Sequence, residues 1–222
     1  MNLPGLDTLT MKGRVRRLFL QSGTSRTFES PEVISHFDQT DPLIYLVDRG
    51  TIILHLADQS GNALTVCHLV QGELFGLLDQ SLGEGVNQIL LSAHARTDCS
   101  VIEVKRSQLL GIARRDPEVL LAISSELAKR FAEVVQKVGQ FAFYDVKGRV
   151  SSALLDLCQL PDATKHPNGF VVKSTRMEIA MMVGCTREMV GRVMQDLSDQ
   201  GHITILGRKT LIHQDNRPEQ TA

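Results

Sequence analysis

Two guanidinium groups and a carboxylate within one short stretch, Arg187, Glu188 and Arg192, are the most chemically informative residues of this 222-residue sequence. An arginine can donate two parallel hydrogen bonds to the acceptor pair on the major-groove edge of guanine, and a glutamate can accept one from the amino group of cytosine. Alone, three such residues read as a solvated helix face with an internal ion pair. Their surroundings argue otherwise. Thr175 is followed three residues later by Glu178, the spacing of a capping box, so a helix is expected to open there and bury Ile179, Met182 and Val183. Gly184-Cys185-Thr186 makes a tight turn, and Thr186 caps a second helix. On that helix Met189, Val190, Val193 and Leu197 are expected to face inward, with Arg187, Glu188, Arg192 and Gln195 outward. Two short helices joined by a glycine turn form a helix-turn-helix, whose second helix places its first turns in the major groove of duplex DNA. Ile203-Thr204-Ile205 and Thr210-Leu211-Ile212, turning at Gly207-Arg208-Lys209, make a hairpin wing with a basic tip suited to phosphate.

Other elements must carry this pair of helices. From Ile44 to Val104 short strands alternate with turns: Leu43–Val47, Thr51–Leu56, Ala63–Leu69 and Val101–Val104, with Asp58–Asn62 as a hairpin turn. That spacing suggests a small antiparallel barrel or roll. The period then changes. Asp116-Pro117-Glu118 starts a helix, after which Leu120, Ile123, Leu127, Phe131, Val134, Val138 and Phe141 recur at spacings of three and four for about six turns. A seam that long outruns the side of one small roll and is expected to pair with a second copy of the chain. Phe141–Asp145 reads as a hinge, Asp145 as the cap of a helix through Val150 and Leu154, and Leu160–Gly169 as a loop. The expected fold is α+β: a β-roll over residues 1–115, a dimerisation helix and hinge over 116–144, and a winged helix-turn-helix over 145–222.

Composition narrows the alternatives. The formal net charge is −1 with 22% charged residues, so a DNA surface must be a local patch. Cys67, Cys99, Cys158 and Cys185 are scattered and form no CxxC pair, which argues against a zinc ribbon and suits reduced thiols. The first twenty residues are broken by Pro4, Lys12, Arg14, Arg16 and Arg17, unlike a signal peptide, and no apolar run is long enough to span a bilayer. A cytoplasmic protein is expected. There is no phosphate-binding GxxxxGKS/T, no supported Ser-His-Asp order and no metal-ligand cluster, so neither an enzyme, a metal nor a cofactor is expected. A dimeric sensor module acting on a protein partner is the remaining rival.

The sequence resembles the cyclic AMP receptor protein (CRP/FNR) family of regulators, near its Vfr-like branch. The resemblance spans Leu43 to Ile212 and is carried by Lys137-Val138-Gly139, Ala142-Phe143-Tyr144-Asp145-Val146, Gly148-Arg149-Val150, Leu154-Leu155-Asp156-Leu157, Pro161-Asp162-Ala163 and Val183 to Arg192. It implies a cyclic-nucleotide-binding β-roll, a dimerising central helix and a winged-helix DNA domain. It also implies that Arg187, Glu188 and Arg192 read a TGTGA-like half-site of an inverted repeat. Arg176 and Thr186 match phosphate-contacting positions, with Thr175 and Lys209 placed beside them, and Pro161–Gly169 resembles a surface that touches RNA polymerase.

The ligand pocket departs from the family pattern. Where cyclic AMP binders carry a Gly-Glu pair this chain has Gly76-Leu77, and Ile89 and Leu90 stand in place of an Arg-Ser pair that holds the cyclic phosphate. Val134 and Val135 replace the polar pair that meets adenine, and no arginine lies between Arg49 and Arg96. A buried phosphate left unpaired costs several kcal/mol. Cyclic AMP is therefore expected to bind at least a thousandfold more weakly than to an ordinary member, roughly 4 kcal/mol. A ligand-free roll is the first expectation. An apolar effector or a cyclic dinucleotide comes next, and haem through Cys67, His68 or His94 last. The iron–sulfur option lacks its N-terminal cysteines.

Overall fold

A computed structural model of the chain describes residues 8–35, 42–76, 81–82 and 89–213. Contacts divide it into two units, Met1–Glu133 and Val134–Ala222, so the helix expected over 116–144 is shared between them. The first unit opens with helix α1 (Thr8–Ser22) and strands β1 (Thr24–Phe28), β2 (Val33–Ser35), β3 (Leu43–Arg49) and β4 (Ile52–Ala57). Strands β5 (Ala63–Leu69), β6 (Leu74–Phe75), β7 (Ser81–Leu82), β8 (Ile89–Ala95) and β9 (Cys99–Lys105) follow, then helix α2 (Arg106–Arg115) and the start of helix α3 (Glu118–Phe143). One sheet has the order β1-β9-β3-β6 and the other β2-β8-β4-β5, with β7 paired to β8.

The uninterrupted apolar run of β3 is explained by burial on both faces. Tyr45 and Val47 pack between the sheets with Ile52, Leu69 and Val101. Ile44 and Leu46 face the opposite way, against Val15 and Phe19 of α1 and Val119 and Ile123 of α3. The turn after β4 forms as expected: the Asp58 carboxylate accepts from the N–H groups of Ser60 and Asn62, both at 2.9 Å, and from the Asn62 side chain at 2.8 Å.

Ile123 corrects the expected dimer seam. It is buried in its own β-roll, because Val119 and Ile123 are an i, i+4 pair on the face of α3 turned toward the sheets. The other seam residues, Leu120, Leu127, Phe131, Val134, Val138 and Phe141, are all exposed, Phe131 to 72%. Leu120, Leu127, Val134 and Phe141 recur every seven residues, and Ser124, Phe131 and Val138 fall four after the first three. That is a heptad stripe, apolar at every position but Ser124.

The second unit adds α4 (Val146–Cys158), β10 (Thr164–His166), β11 (Gly169–Lys173), α5 (Arg176–Val183), α6 (Arg187–Asp199), β12 (Ile203–Leu206) and β13 (Lys209–His213). Its sheet runs β10-β11-β13-β12, and Val150, Leu154, Leu157, Ile179, Val190 and Leu197 form the core. Asp145 caps α4 as expected, accepting from the Gly148 N–H at 2.7 Å. The stretch 160–169 is not loop throughout. Thr164–His166 pairs antiparallel with β11, giving a hairpin whose turn is Pro167-Asn168.

Candidate nucleic-acid interface

The two helices of the motif are set by their caps. Thr175 Oγ1 accepts from the Glu178 N–H at 3.1 Å and Thr186 Oγ1 from the Met189 N–H at 3.2 Å. Between them Gly184 takes the left-handed conformation, φ 62° and ψ 47°, and its N–H closes α5 on the Ala180 carbonyl. Both threonine hydroxyls use an oxygen lone pair for the cap, which leaves their O–H for a second acceptor; that of Thr186 is directed to the Glu188 carboxylate.

Burying Val190, Met194 and Leu197 on steps of four and three fixes which face of α6 looks outward. Arg187, Glu188, Arg192 and Gln195 are exposed as expected. Met189 is a correction: it is 38% exposed, and Met194 fills the inward place. An open groove of about 750 Å³ is lined by Arg176, Arg187, Glu188, Arg192 and Gln195, with Gly191 also in its wall. Arg176, the first residue of α5, reaches over Gly191, where an added Cβ would lie 3.5 Å from its Nη1. At one end of the groove Gln195 donates to Asp199 at 2.8 Å, and Asp196 pairs with Lys147 at 2.6 Å. The Glu188 carboxyl is held below the usual carboxylate range by its own backbone N–H and the Thr186 hydroxyl, with Arg187 and Arg192 assisting. It is therefore an ionised acceptor. In the wing, Gly207 and Arg208 form the turn, while Lys209 is the exposed first residue of β13, paired with Leu206.

The expected pocket positions are only partly described. Leu77 and the side chain of Ile89 lie outside the described residues. Gly76 has φ +85°, and a Cβ there would come 2.4 Å from the Leu43 carbonyl oxygen, so the backbone requires glycine. Leu90, Val134 and Val135 are exposed.

The cation that sequence reasoning missed is Arg130, which α3 turns into the first unit. Its guanidinium meets Glu73 at 2.8 Å, Glu126 at 3.1 Å and Glu133 at 2.6 Å, and Lys129 pairs with Glu73 as well. Burial alone would raise the Glu73 carboxyl, yet Arg130 and Lys129 outweigh it and hold it below the ordinary range. Glu73 also accepts from the Val70 N–H at 2.9 Å, tying the turn before β6 to α3. A charged helix residue reads as solvated in sequence, and only the carboxylates around it reveal the inward orientation.

Cys67 packs against the inter-sheet core. His94 Nε2 lies 2.9 Å from Ser92 Oγ, with its ring 5.1 Å from that of His55. Among the described residues no group of three His, Cys, Asp or Glu side chains could hold a metal ion, and no helix is long and apolar enough to cross a membrane.

The profile of the Crp-like helix-turn-helix domain matches residues 148–217. The chain is 36% identical over 176 residues to the cAMP-activated global transcriptional regulator Vfr of Pseudomonas aeruginosa, covering 79% of this chain and 82% of that protein. It is 32% identical over 195 residues to the cAMP-activated global transcriptional regulator CRP of Salmonella typhimurium, covering 88% and 92%. Among solved structures, the c-di-GMP responsive global regulator CLP of Xanthomonas campestris superposes with a TM-score of 0.79 at 25% identity, over 90% of this chain and 99% of that one.

Proposed function

Because the chain belongs to the CRP/FNR family of transcription regulators, we propose that it binds a TGTGA-like inverted repeat in duplex DNA as a cytoplasmic homodimer, without requiring cyclic AMP. Members of the family are regulators, not enzymes. The observation that carries the reading is the groove on α6, where Arg187, Glu188 and Arg192 stand outward beside Arg176. Thr175, Thr186 and Lys209 are the donors proposed for phosphate. Pairing through α3 is supported by the uncovered stripe from Leu120 to Phe141, since an apolar heptad buries itself best against a second copy. The exposed tip Thr164–Asn168 of the β10–β11 hairpin supports RNA polymerase as a further partner.

Independence from cyclic AMP rests on the side chains at the former ligand positions. Gly76-Leu77, Ile89, Leu90, Val134 and Val135 offer no charge to a cyclic phosphate. Arg130 is already neutralised by carboxylates of the same chain, so an anion would have to displace Glu73 or Glu126 to reach it. A second reading keeps the DNA site but adds a cyclic dinucleotide as effector. The likeness to a c-di-GMP responsive regulator favours it.

The deciding experiment is a gel shift on a duplex carrying TGTGA and TCACA half-sites about six base pairs apart. The expected result is binding by the protein alone, unchanged by cyclic AMP. A shift that requires cyclic AMP overturns the independence, one that requires c-di-GMP selects the second reading, and no shift under any condition removes the DNA assignment.

A further inference from the structure

Arg149 in the first turn of α4 reaches in three directions at once. Its Nη1 donates to the Tyr144 carbonyl at 3.0 Å, its Nε donates to the Val183 carbonyl at 3.1 Å, and its guanidinium carbon lies 5.4 Å from the centre of the Phe141 ring. Phe141 is in the last turn of α3, and Tyr144 follows that helix directly, its own N–H still bonded to the Gln140 carbonyl. Val183 is the last residue of α5, immediately before the Gly184 turn that launches α6. Both acceptors thus belong to helix C-termini, where carbonyls lack intrahelical partners and the helix dipole favours a cation. Gln140 adds a bond from Nε2 to Ser152 Oγ at 2.9 Å, and Lys137 lies close enough to Asp156 to act on its carboxyl. The Phe141–Asp145 stretch expected to be a hinge is therefore bridged by side chains from α4.

We propose that Arg149 is a positioning residue for DNA recognition: it fixes the turn between α5 and α6 against the last turn of α3, so that the end of the apolar stripe sets the placement of the base-reading helix. The guanidinium suits the task because it is always charged, carries a planar fork of donors and can lie against an aromatic ring, whereas an ammonium has no such fork. No side chain of α6 needs to contact α3 for this coupling. The inference rests on the proposed inverted-repeat binding.

Such a clamp has a signature that loss of stability does not share. In a two-fold pair, the placement of each recognition helix relative to the stripe sets which half-site spacing is read. Fluorescence anisotropy would compare duplexes whose half-sites are separated by about four to eight base pairs, together with an isolated half-site. Wild-type protein is expected to show one sharp spacing optimum. Arg149→Ala should lose about tenfold at that optimum and less elsewhere, flattening the profile while leaving isolated half-site affinity nearly unchanged. Arg149→Lys should fall between the two, and it decides the question if the alanine variant fails to fold by circular dichroism. A folded variant with an undiminished sharp optimum, or one that weakens all duplexes and the half-site equally, overturns the clamp. Wild-type protein that binds none of the duplexes would instead overturn the DNA reading on which the clamp rests.

Discussion

Arg187, Glu188 and Arg192 differ from the other exposed charges of the chain in what surrounds them. Two capped helices hold their backbone, and the side chains leave one face of α6 without being consumed by neighbouring carboxylates of the core. Replacing Arg187 or Arg192 by alanine should cost about 1–3 kcal/mol on a matched duplex and relax preference at one base pair. Arg176→Ala and Lys209→Ala should weaken all duplexes alike, and each should lower the slope of log affinity against log salt by about 1. Anisotropy on a panel of singly substituted duplexes over a salt series separates the two behaviours, and a uniform loss for Arg187→Ala would remove its base-reading role. His55 makes a different kind of residue-level prediction. Burial, then the neighbouring His94, brings its pKa from 6.5 to about 4. Folded His55 is neutral where the unfolded chain takes up a proton, so stability is fully present above pH 6.5 and is lost as pH falls toward 4. The melting temperature should decline across that window, and His55→Gln should flatten the decline.

At the scale of elements, α3 carries two apolar faces in different surroundings. Val119 and Ile123 are covered by the β-roll, while Leu127 and Phe131 are uncovered. Phe131→Glu should therefore leave the far-ultraviolet circular dichroism spectrum intact while dissociating the pair in sedimentation equilibrium; a variant that still sediments as a dimer would place the interface elsewhere. These two faces also show what a sequence can disclose. Capped, periodic helices and turn-bounded strands were legible, because Thr175, Gly184, Thr186 and the Asp58–Asn62 turn act through local backbone chemistry. Assigning Ile123 to the seam and Met189 to the interior failed because spacings of three and four fit adjacent helix faces equally well. Strands β1 and β2 went unseen for another reason. Only Phe28 of β1 and Ile34 of β2 are buried, so neither strand shows an alternation. Helix α2, with Leu109 and Ala113 buried among basic neighbours, was equally mute. The spacing of Arg130 from Glu126 and Glu133 fits a solvated helix face equally well, and its pairing with Glu73, like the bond from Arg149 to the Val183 carbonyl, joins residues distant in sequence.

Taken whole, the chain holds 24 basic against 25 acidic side chains, so attraction to nucleic acid has to come from a local surface rather than from net charge. Confinement of this kind keeps sequence-independent adsorption weak, since that adsorption scales with the number of phosphates neutralised. The uncovered stripe on α3 carries a further consequence. A chain that pairs through such a stripe obeys mass action, and while most copies are single, doubling the amount synthesised quadruples the paired form. Under the proposed independence from cyclic AMP, abundance itself would become the signal, and the rates of translation and proteolysis would set the threshold at which promoters respond.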